Sequence, residues 1–486
     1  RCYYDLVIQI AIVRPGPIQG EMVHPYLNRR SGREAISYPS KAVKSVLERT
    51  LGVPIFQEQV MQLAMVAAGF SGGEADDLRR AMAAWKRKGG LEHYREKLVT
   101  GMLDRGYEPS FAEQLFNQIK GFGDYGFPES HSASFALIAY VSSWLKCYHP
   151  AAFCCALLNS QPMGFYAPAQ LIKDAQRHGV EVLPAEVNES VVGCSLEASD
   201  TVGASKAIES PDSSEWRKRP RVQGAAQSQR LRIGFNLVKG LSAQAAVAIV
   251  EARRGGAYVS IQDLVFRTGI DRRDLEALAA ADALRGLAGD RHRAFWHAAG
   301  VITAQGYAVS HSRAGSLAHA DRPIADLFDD ATSGDSDFGL GVMLPLASES
   351  QNVAGDYAAT GFTLRRHPLA LLREHLDCFG ANSSAQLGKL GNDQATKVAG
   401  LVTCRQRPMT ASGVTFLTLE DEAGHMNVVV WPALGERLRP ILRQAMLIGV
   451  VGRVQESEGV IHVIADNLVD LTSWLGELSL SSRDFT

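Results

Sequence analysis

The sequence predicts a multidomain α+β protein, on the strength of three patterns. Helical periodicity dominates residues 1–190, two helices flank a Lys-Gly turn near residue 240, and alternating strand patterns follow residue 395. A length of 486 residues is enough for roughly three domains at about 150 residues each. Hydrophobic residues make up 46% of the chain and charged residues 21%, which is ordinary globular usage and excludes a wholly disordered chain or a long coiled coil.

Charge and cysteine content narrow the class further. Lys and Arg number 50 against 52 Asp and Glu, so a globally basic nucleic-acid binder is excluded, whereas a local basic groove is not. Seven cysteines without C-x-x-C spacing indicate reduced thiols in a cytoplasmic protein rather than a disulfide scaffold or zinc knuckle. No apolar run reaches the ~18 residues of a membrane span. The chain starts without Met or a signal-peptide pattern, so we expect an upstream part to be missing.

Helical signals are dense in the first part of the chain. Segment 57–70 places its apolar residues on one buried face, and segment 109–120 is amphipathic. Segment 71–88 has its acidic residues early and its basic residues late, as the helix dipole favours, and ends at Gly89-Gly90. Segment 132–147 is apolar nearly all round, which predicts a buried helix.

The carboxy-terminal pattern is three strands, a helix and two strands. The strands are KVAGLVTC, VTFLTLED, HMNVVVWP, LIGVVGRV and VIHVIADN, and the helix is PALGERLRPILRQA. This order is typical of an OB-type barrel, a common platform for single-stranded nucleic acid. Arg405, directly after the first strand, and Phe416, on the second, are the candidate DNA contacts.

The sharpest charge signal lies on the helix of segment 71–88. At 100° per residue, Arg79, Arg80, Lys86 and Arg87 fall within about a third of its circumference. We expect the acidic residues of the same helix to lie away from this stripe. A triphosphate or a DNA backbone would suit four cations, while a solvated face is the commoner outcome for an arbitrary stripe.

A glycine-rich loop, GFGDYGFPESHSASFAL, covers residues 121–137. Its glycines allow the backbone to approach a ligand closely, and Tyr125 and Phe127 offer flat faces for a nucleobase. His131 follows at the start of the next helix, where it could press against a sugar. By spacing alone, a loop whose aromatic side chains fill a core is an equally good interpretation.

The Lys239-Gly240 turn lies between two predicted helices. Backbone N–H groups at the start of the second helix can hold a phosphate, and Ser242 would cap that helix. An ordinary helical turn has the same pattern. A partial second copy follows at residues 272–287, where Asp282 occupies the turn and disfavours phosphate binding. No metal-ligand cluster or pair of carboxylates suited to two-metal chemistry stands out, so no complete active site is predicted.

These motifs, in this order, resemble the bacterial DNA polymerase III alpha subunits, the C-family polymerases. The matching stretches are IAIVRPGPIQGEMVHPYLNRR, GVPIFQEQVMQLA, LRRAMAAWKRK and GFGDYGFPESHSASFALIAYVSSWLKC, followed by the Lys-Gly hairpin and the OB-like unit. Within the family, DLVIQIAIVRPGPIQG and LLNSQPMGFYAPAQLIKDAQRHGVEVLPAEVN are most similar to the error-prone paralogue. The glycine-rich loop agrees, because Pro128 and Glu129 stand where the replicative subunit typically has an amide and a cation.

The resemblance implies a DNA-directed DNA polymerase that acts in damage-induced mutagenesis and translesion synthesis. The phosphoesterase-like domain and the palm with three catalytic aspartates, which would hold Mg2+, are not visible in this chain. It implies that Arg14, Arg79, Arg80 and Lys86 contact the incoming dNTP, that Tyr125 and Phe127 line the nascent base pair, that His131 is the sugar gate, and that Lys239, Gly240 and Ser242 hold primer-template DNA. The alternatives are a replicative alpha subunit and a non-catalytic DNA-binding module.

The resemblance also sets the expected domains and partners. We expect a polymerase fingers region at 1–195, a linker at 196–230, a tandem helix-hairpin-helix unit at 231–300, a loop-rich connector at 301–394 and an OB-fold at 395–475. The segment from Ile324 to Phe328 keeps the apolar anchor of a sliding-clamp peptide but lacks its Gln. We therefore expect the clamp to be reached indirectly, through an inactive Y-family-like accessory protein.

Overall fold

The chain forms two compact units, Arg1–Cys147 and Tyr148–Thr486. A computed structural model describes residues 2–12, 23–88, 91–121, 128–164, 166–198, 229–300, 345–408, 413–457, 459–476 and 483–485. The border between the units lies well before residue 195, the predicted end of the fingers region. Most of the predicted linker lies outside the described residues.

The first unit is built from helices in its described residues. They are α1 (Tyr3–Ile12), α2 (Val23–Arg30), α3 (Lys41–Leu47), α4 (Gln57–Ala68), α5 (Gly72–Lys88), α6 (Leu91–Leu103), α7 (Pro109–Gly121) and α8 (Glu129–Tyr148). Helix α4 packs against α3, α5 and α6 and buries Val60, Leu63 and Ala64, which confirms its predicted apolar face. It ends at Gly69, whose φ of 73° is the left-handed conformation that glycine adopts without strain.

Helix α8 is not buried, although its sequence predicts that it is. Only Ser132 and Ala136 of this helix are buried. Ile138, Tyr140 and Trp144 are 59%, 57% and 44% exposed. An apolar composition shows that a helix can be buried, but a neighbouring surface must be present to bury it. Hydrogen bonds join α8 to α1 at Glu129, Ser132 and Ala133, near the start of the helix.

The second unit begins with helices around a small sheet. Its elements are α9 (Pro150–Asn159), α10 (Pro168–Arg177), β1 (Val182–Leu183), β2 (Ser195–Ala198), β3 (Gln229–Arg232), α11 (Ala243–Ala252), α12 (Ile261–Thr268), α13 (Arg272–Ala280) and α14 (Arg285–Ala288). The strand order is β1-β3-β2, with β1 parallel and β2 antiparallel to β3. One core joins Leu158, Leu231, Phe235, Leu264 and Leu278, so α9 packs with the hairpin helices.

Four helices occupy part of the segment that the sequence assigns to a loop-rich connector. They are α15 (Glu349–Ala359), α16 (Pro368–Leu371), α17 (Arg373–Phe379) and α18 (Ser384–Leu387). Helix α15 packs on α13. The loop assignment is wrong here because Val353, Leu369 and Leu376, which are all buried, are too widely spaced to give a periodic signal.

The last part of the chain is a closed five-stranded barrel, as the strand pattern predicts. Its strands are β4 (Ala395–Gln406), β5 (Thr415–Glu420), β6 (His425–Val430), β7 (Leu447–Ser457) and β8 (Val460–Asp470), and a short β9 (Arg483–Phe485) lies parallel to the end of β4. Pairing of β4 with β5 closes the order β5-β6-β8-β7-β4. The single predicted helix is two, α19 (Pro432–Arg437) and α20 (Arg439–Gln444), because Pro440 has no N–H to continue it.

Among the helices that the structure describes, none combines the length and the apolar content needed to cross a lipid bilayer.

Candidate nucleic-acid interface

Arg79 and Arg80 on α5 share one carboxylate. Asp76 Oδ1 lies 2.9 Å from Arg79 Nε, and Asp76 Oδ2 lies 2.8 Å from Arg80 Nη2. The expectation that acidic residues stand away from the stripe is therefore wrong for Asp76, because a spacing of three and four residues puts all three side chains on one helix face. The hydrogen bond from Arg79 lowers the pKa of Asp76.

The two guanidinium groups remain accessible in spite of this pairing. The Arg79 side chain is 37% exposed and that of Arg80 is 70% exposed. The single Asp76 carboxylate pairs with both positive charges. Glu74 on the same helix is paired with Lys97, whose hydrogen bond lowers the pKa of Glu74 to about 2, and Asp77 is a further, exposed acid of α5. Lys86 lies in α5, but its side chain is outside the described residues.

His131 lies in the first turn of α8 and is exposed. Its ring centroid is 4.5 Å from that of Phe135, one helical turn later. Pro128, Ser130 and Ser134 line a shallow groove together with His131. The position is open to a ligand, and the sugar-gate role stays a prediction.

Three predicted nucleotide contacts, Arg14, Tyr125 and Phe127, lie outside the described residues. The meeting of the basic stripe with the aromatic loop therefore stays a prediction as well.

Sequence reasoning missed the residues that hold the first turn of α8. Tyr4 Oη donates to Glu129 Oε1 at 2.6 Å, and the Arg49 guanidinium lies 3.5 Å above the Tyr4 ring. Burial, the hydrogen bond to Glu129 and the charge of that carboxylate raise the pKa of Tyr4. No sequence signal links these residues, because Tyr4 and Glu129 are 125 positions apart.

The Lys239 hairpin forms a tight turn before α11, with Gly240 at a φ of 86°. Ser242 caps α11 as predicted, its hydroxyl accepting from the Ala245 N–H at 3.1 Å. The Lys239 ammonium donates to the carbonyls of Tyr357 and Ala358 at 3.1 and 3.2 Å, at the end of α15. A DNA phosphate would have to displace these partners, so the contact predicted for this hairpin stays a prediction.

The second hairpin turn contains the carboxylate of Asp282, which is paired within the chain. Asp282 stands at a φ of 58°, and its Oδ2 lies 2.7 Å from Arg365 Nη2. Burial raises the pKa of Asp282. The expectation that this turn disfavours a phosphate stays a prediction.

Of the two predicted contacts on the barrel, Arg405 is not on the surface. It is buried, 9% exposed, and donates to the Ala445 carbonyl. A DNA contact for Arg405 is therefore contradicted. The pairing of β4 with β5 shifts register between Val402 and Cys404, which interrupts the alternation from which the side of Arg405 would be read. Phe416 is 36% exposed and stands opposite Val429 in the β5–β6 pair.

Trp431 is a further exposed aromatic residue that the sequence analysis did not select. It is 54% exposed and follows β6 two positions after Val429, the partner of Phe416. The barrel thus carries a second exposed aromatic residue close in the chain to the strand partner of Phe416. The signal available in the sequence was an aromatic residue directly after a strand, before Pro432.

Within the described ranges, no group of three or more His, Cys, Asp or Glu side chains could hold a metal ion.

Three family models match consecutive parts of the chain. Residues 1–106 match the bacterial DNA polymerase III alpha subunit finger domain. Residues 179–294 match a helix-hairpin-helix motif, and residues 396–471 match an OB-fold nucleic acid binding domain.

The chain is also similar along its whole length to proteins named error-prone DNA polymerase. It is 56% identical to the one from Methylococcus capsulatus over 99% of this chain and 43% of that protein. Identity to the protein from Pseudomonas savastanoi pv. phaseolicola is 52%, over 99% of this chain and 42% of that one. Identity to the protein from Bordetella bronchiseptica is 53%, over 100% of this chain and 42% of that protein. The chain thus spans about two fifths of the length of these curated relatives.

Proposed function

The chain belongs to the family of bacterial DNA polymerase III alpha subunits. We propose that it is the part of an error-prone DNA-directed DNA polymerase that binds the incoming nucleotide and the primer-template DNA. The observation that carries this proposal is the identity above 50% to error-prone DNA polymerases over at least 99% of the chain. The three family models, in this order, support it independently. Translesion synthesis after DNA damage and a cytoplasmic location are part of the proposal.

The described residues do not fit a metal centre, since they contain no suitable group of ligands. We assign Mg2+, and the carboxylates that would bind it, to a part of the polymerase outside these 486 residues. The roles that follow use side chains of this chain alone.

Arg79 and Arg80 would hold the triphosphate of the incoming dNTP. Their guanidinium groups are exposed on one face of α5, where an anion can reach both of them. Positive charge at this position stabilises the pyrophosphate as negative charge builds on it. His131 would contact the sugar from the first turn of α8.

DNA would be guided by the second unit. Phe416 and Trp431 offer stacking faces for unpaired bases of the template strand. The helix-hairpin-helix match supports contact with the duplex backbone. An accessory protein of Y-family type and an indirect link to the sliding clamp complete the proposed partners, and residues 324–328, the clamp-like segment, lie outside the described residues.

Steady-state incorporation by the complete polymerase tests the triphosphate role. We expect Arg79→Ala to lower kcat/KM for dNTP by about 100-fold, the usual cost of losing one group that stabilises transition-state charge. Arg95→Ala is the matched control, because Arg95 also forms an exposed ion pair, with Glu113 at 2.6 Å, on other helices of the same unit. Equal kinetics for the two variants would remove the triphosphate role from Arg79.

A primer-extension assay distinguishes the polymerase hypothesis from the alternative of a non-catalytic DNA-binding module. The 486-residue chain should bind primer-template DNA without extending it, and extension should require the rest of the polymerase. If the complete protein binds DNA but never extends a primer, the non-catalytic module becomes the better description.

A further inference from the structure

The first turn of α8 is held from one side by a cluster of three side chains, Tyr4, Arg49 and Glu129. Tyr4 Oη donates to Glu129 Oε1 at 2.6 Å. Arg49 stacks on Tyr4, 3.5 Å from the ring centroid, and its Nη1 lies 3.5 Å from Glu129 Oε1. These contacts tie α8 to the helix at the start of the unit and to the short helical turn Glu48–Thr50.

The backbone of the same turn is held as well. The Glu129 N–H donates to Glu58 Oε2 at 3.0 Å, on the first turn of α4. Ser132 Oγ donates to the Val7 carbonyl, and Tyr3 Oη donates to the Ala133 carbonyl. Residues on both sides of His131 are therefore attached to other helices, and His131 lines the groove.

The hydrogen bond from Tyr4 contributes more to this cluster than the ion pair does. The Arg49 side chain is 66% exposed, and its 3.5 Å separation from Glu129 is long, so the pair by itself is weakly stabilising. A hydroxyl donating to a carboxylate at 2.6 Å is a short charge-assisted bond with a definite direction. Arg49 adds to it by covering one face of the Tyr4 ring.

We propose that Tyr4, Arg49 and Glu129 are positioning residues that set the place of the His131 ring, and through it the preference of the polymerase for deoxyribonucleotides. This inference rests on the proposed function, since the contact of His131 with the sugar belongs to it. The cluster acts by fixing the backbone from which His131 projects, because a shift of about 1 Å in a positioning group is enough to change a rate strongly. A neutral or basic side chain at position 129 would weaken or lose the bond to Tyr4, and a basic one would also repel Arg49.

Discrimination between dNTP and rNTP in the complete polymerase tests the cluster. We expect His131→Ala to lower the ratio of kcat/KM values about tenfold, and Tyr4→Phe and Glu129→Gln to lower it about threefold each. In the double variant with Tyr4→Phe and His131→Ala, the ratio should equal that of His131→Ala alone, because Tyr4 acts through His131. Glu113→Gln is the control, and it should leave the ratio unchanged.

Three results would overturn the inference. They are an unchanged ratio in Tyr4→Phe and Glu129→Gln, fully additive losses in the double variant, and an unchanged ratio in His131→Ala. The first two leave the polymerase function standing, since wild-type incorporation is measured in the same assay.

A second measurement needs no catalytic activity. In this 486-residue chain with 13C-labelled histidine, His131→Ala identifies the His131 signal. Tyr4→Phe should move that signal and leave the other twelve histidine signals in place. If the His131 signal does not move, the positioning role is refuted even where incorporation cannot be measured. If all histidine signals move, Tyr4 supports the fold in general, which refutes the role as well.

Discussion

Ser242 donates both its backbone N–H and its hydroxyl to the carboxylate of Asp274, at 2.7 and 3.0 Å. Asp274 lies on α13 and is 7% exposed, so one buried carboxylate joins the start of α11 to the next hairpin helix. The backbone N–H and the hydroxyl of Ser242, which could have donated to a phosphate at the start of α11, thus already donate to Asp274.

Loss of this carboxylate should destabilise the second unit. We expect Asp274→Ala to lower the free energy of unfolding by ~2 kcal/mol, because the Ser242 donors lose a charged acceptor. Denaturant titration measures the change. Glu276→Ala is the control: Glu276 is on the same helix in an exposed pair with Arg272, and its loss should cost less than ~0.5 kcal/mol. Equal losses would show that the Asp274 contact contributes no special stability.

Arg291 should be the most sensitive residue where α15 meets the hairpin unit. It is 6% exposed, donates to the Asn352 carbonyl at 2.8 Å and pairs with Asp356 at 2.5 Å. Arg291→Ala removes one of the two arginines paired with Asp356, which keeps Arg365 at 3.3 Å, so the unfolding free energy should fall by about 1–3 kcal/mol. The exposed neighbour Arg293, paired with Asp290 at 3.4 Å, should tolerate the same change. A small effect at Arg291 would mean that α15 is not firmly attached.

Stability should fall in mild acid because of His367. Burial, with the charges of Lys173, His425 and Arg373, lowers the pKa of His367 from 6.5 to about 3. Between these values the unfolded chain binds a proton that the folded chain does not, so stability falls as the pH falls from 6.5 toward 3. At pH 5 the loss relative to pH 7 should be ~2 kcal/mol.

The matched variants are His367→Asn and His375→Asn. The Leu369 N–H donates to His367 Nδ1 at 3.2 Å, and an Asn at position 367 keeps an acceptor for it. His367→Asn should therefore remove the loss of stability that protonation of His367 causes in acid. Replacing the exposed His375 should leave the pH dependence of stability unchanged. Denaturant midpoints measured from pH 7 to pH 4 give the comparison, and parallel curves for wild type and His367→Asn would contradict it.

Asp76 should compete with the triphosphate for Arg79 and Arg80. We expect Asp76→Asn to lower KM for dNTP roughly two- to fivefold, since exposed ion pairs of this kind are weak. The effect should shrink at high salt, which screens exposed charges. Asp104→Asn, at an exposed site of the same unit, serves as the control. A raised KM would indicate instead that Asp76 orients the two arginines.

The exposure of α8 can be tested by a pair of substitutions. Ile138→Lys should change the unfolding free energy by less than ~0.5 kcal/mol, because Ile138 is 59% exposed and Lys is a good helix former. Leu63→Ala, at a fully buried position of α4, should cost about 2–5 kcal/mol. If Ile138→Lys is as costly as Leu63→Ala, α8 is covered after all.

Local patterns were sufficient for elements that carry their own signal. The barrel strands alternate, and the apolar positions of α4 recur at helical spacing, so these elements follow from periodicity. The Ser242 cap and the turn at Gly240 follow from the chemistry of a hydroxyl and of a residue without a side chain. The family resemblance rests on the same local motifs.

Local patterns could not predict burial and ion pairing that involve distant parts of the chain. The amino acids alone specify which segments become helices and strands, because hydrogen bonding and apolar spacing act over a few residues. Whether α8 is covered, whether Arg405 points inward and which partner Lys239 finds were settled by packing between residues far apart in the chain. Burial and ion pairing are properties of neighbours in space, and a linear sequence does not state those neighbours.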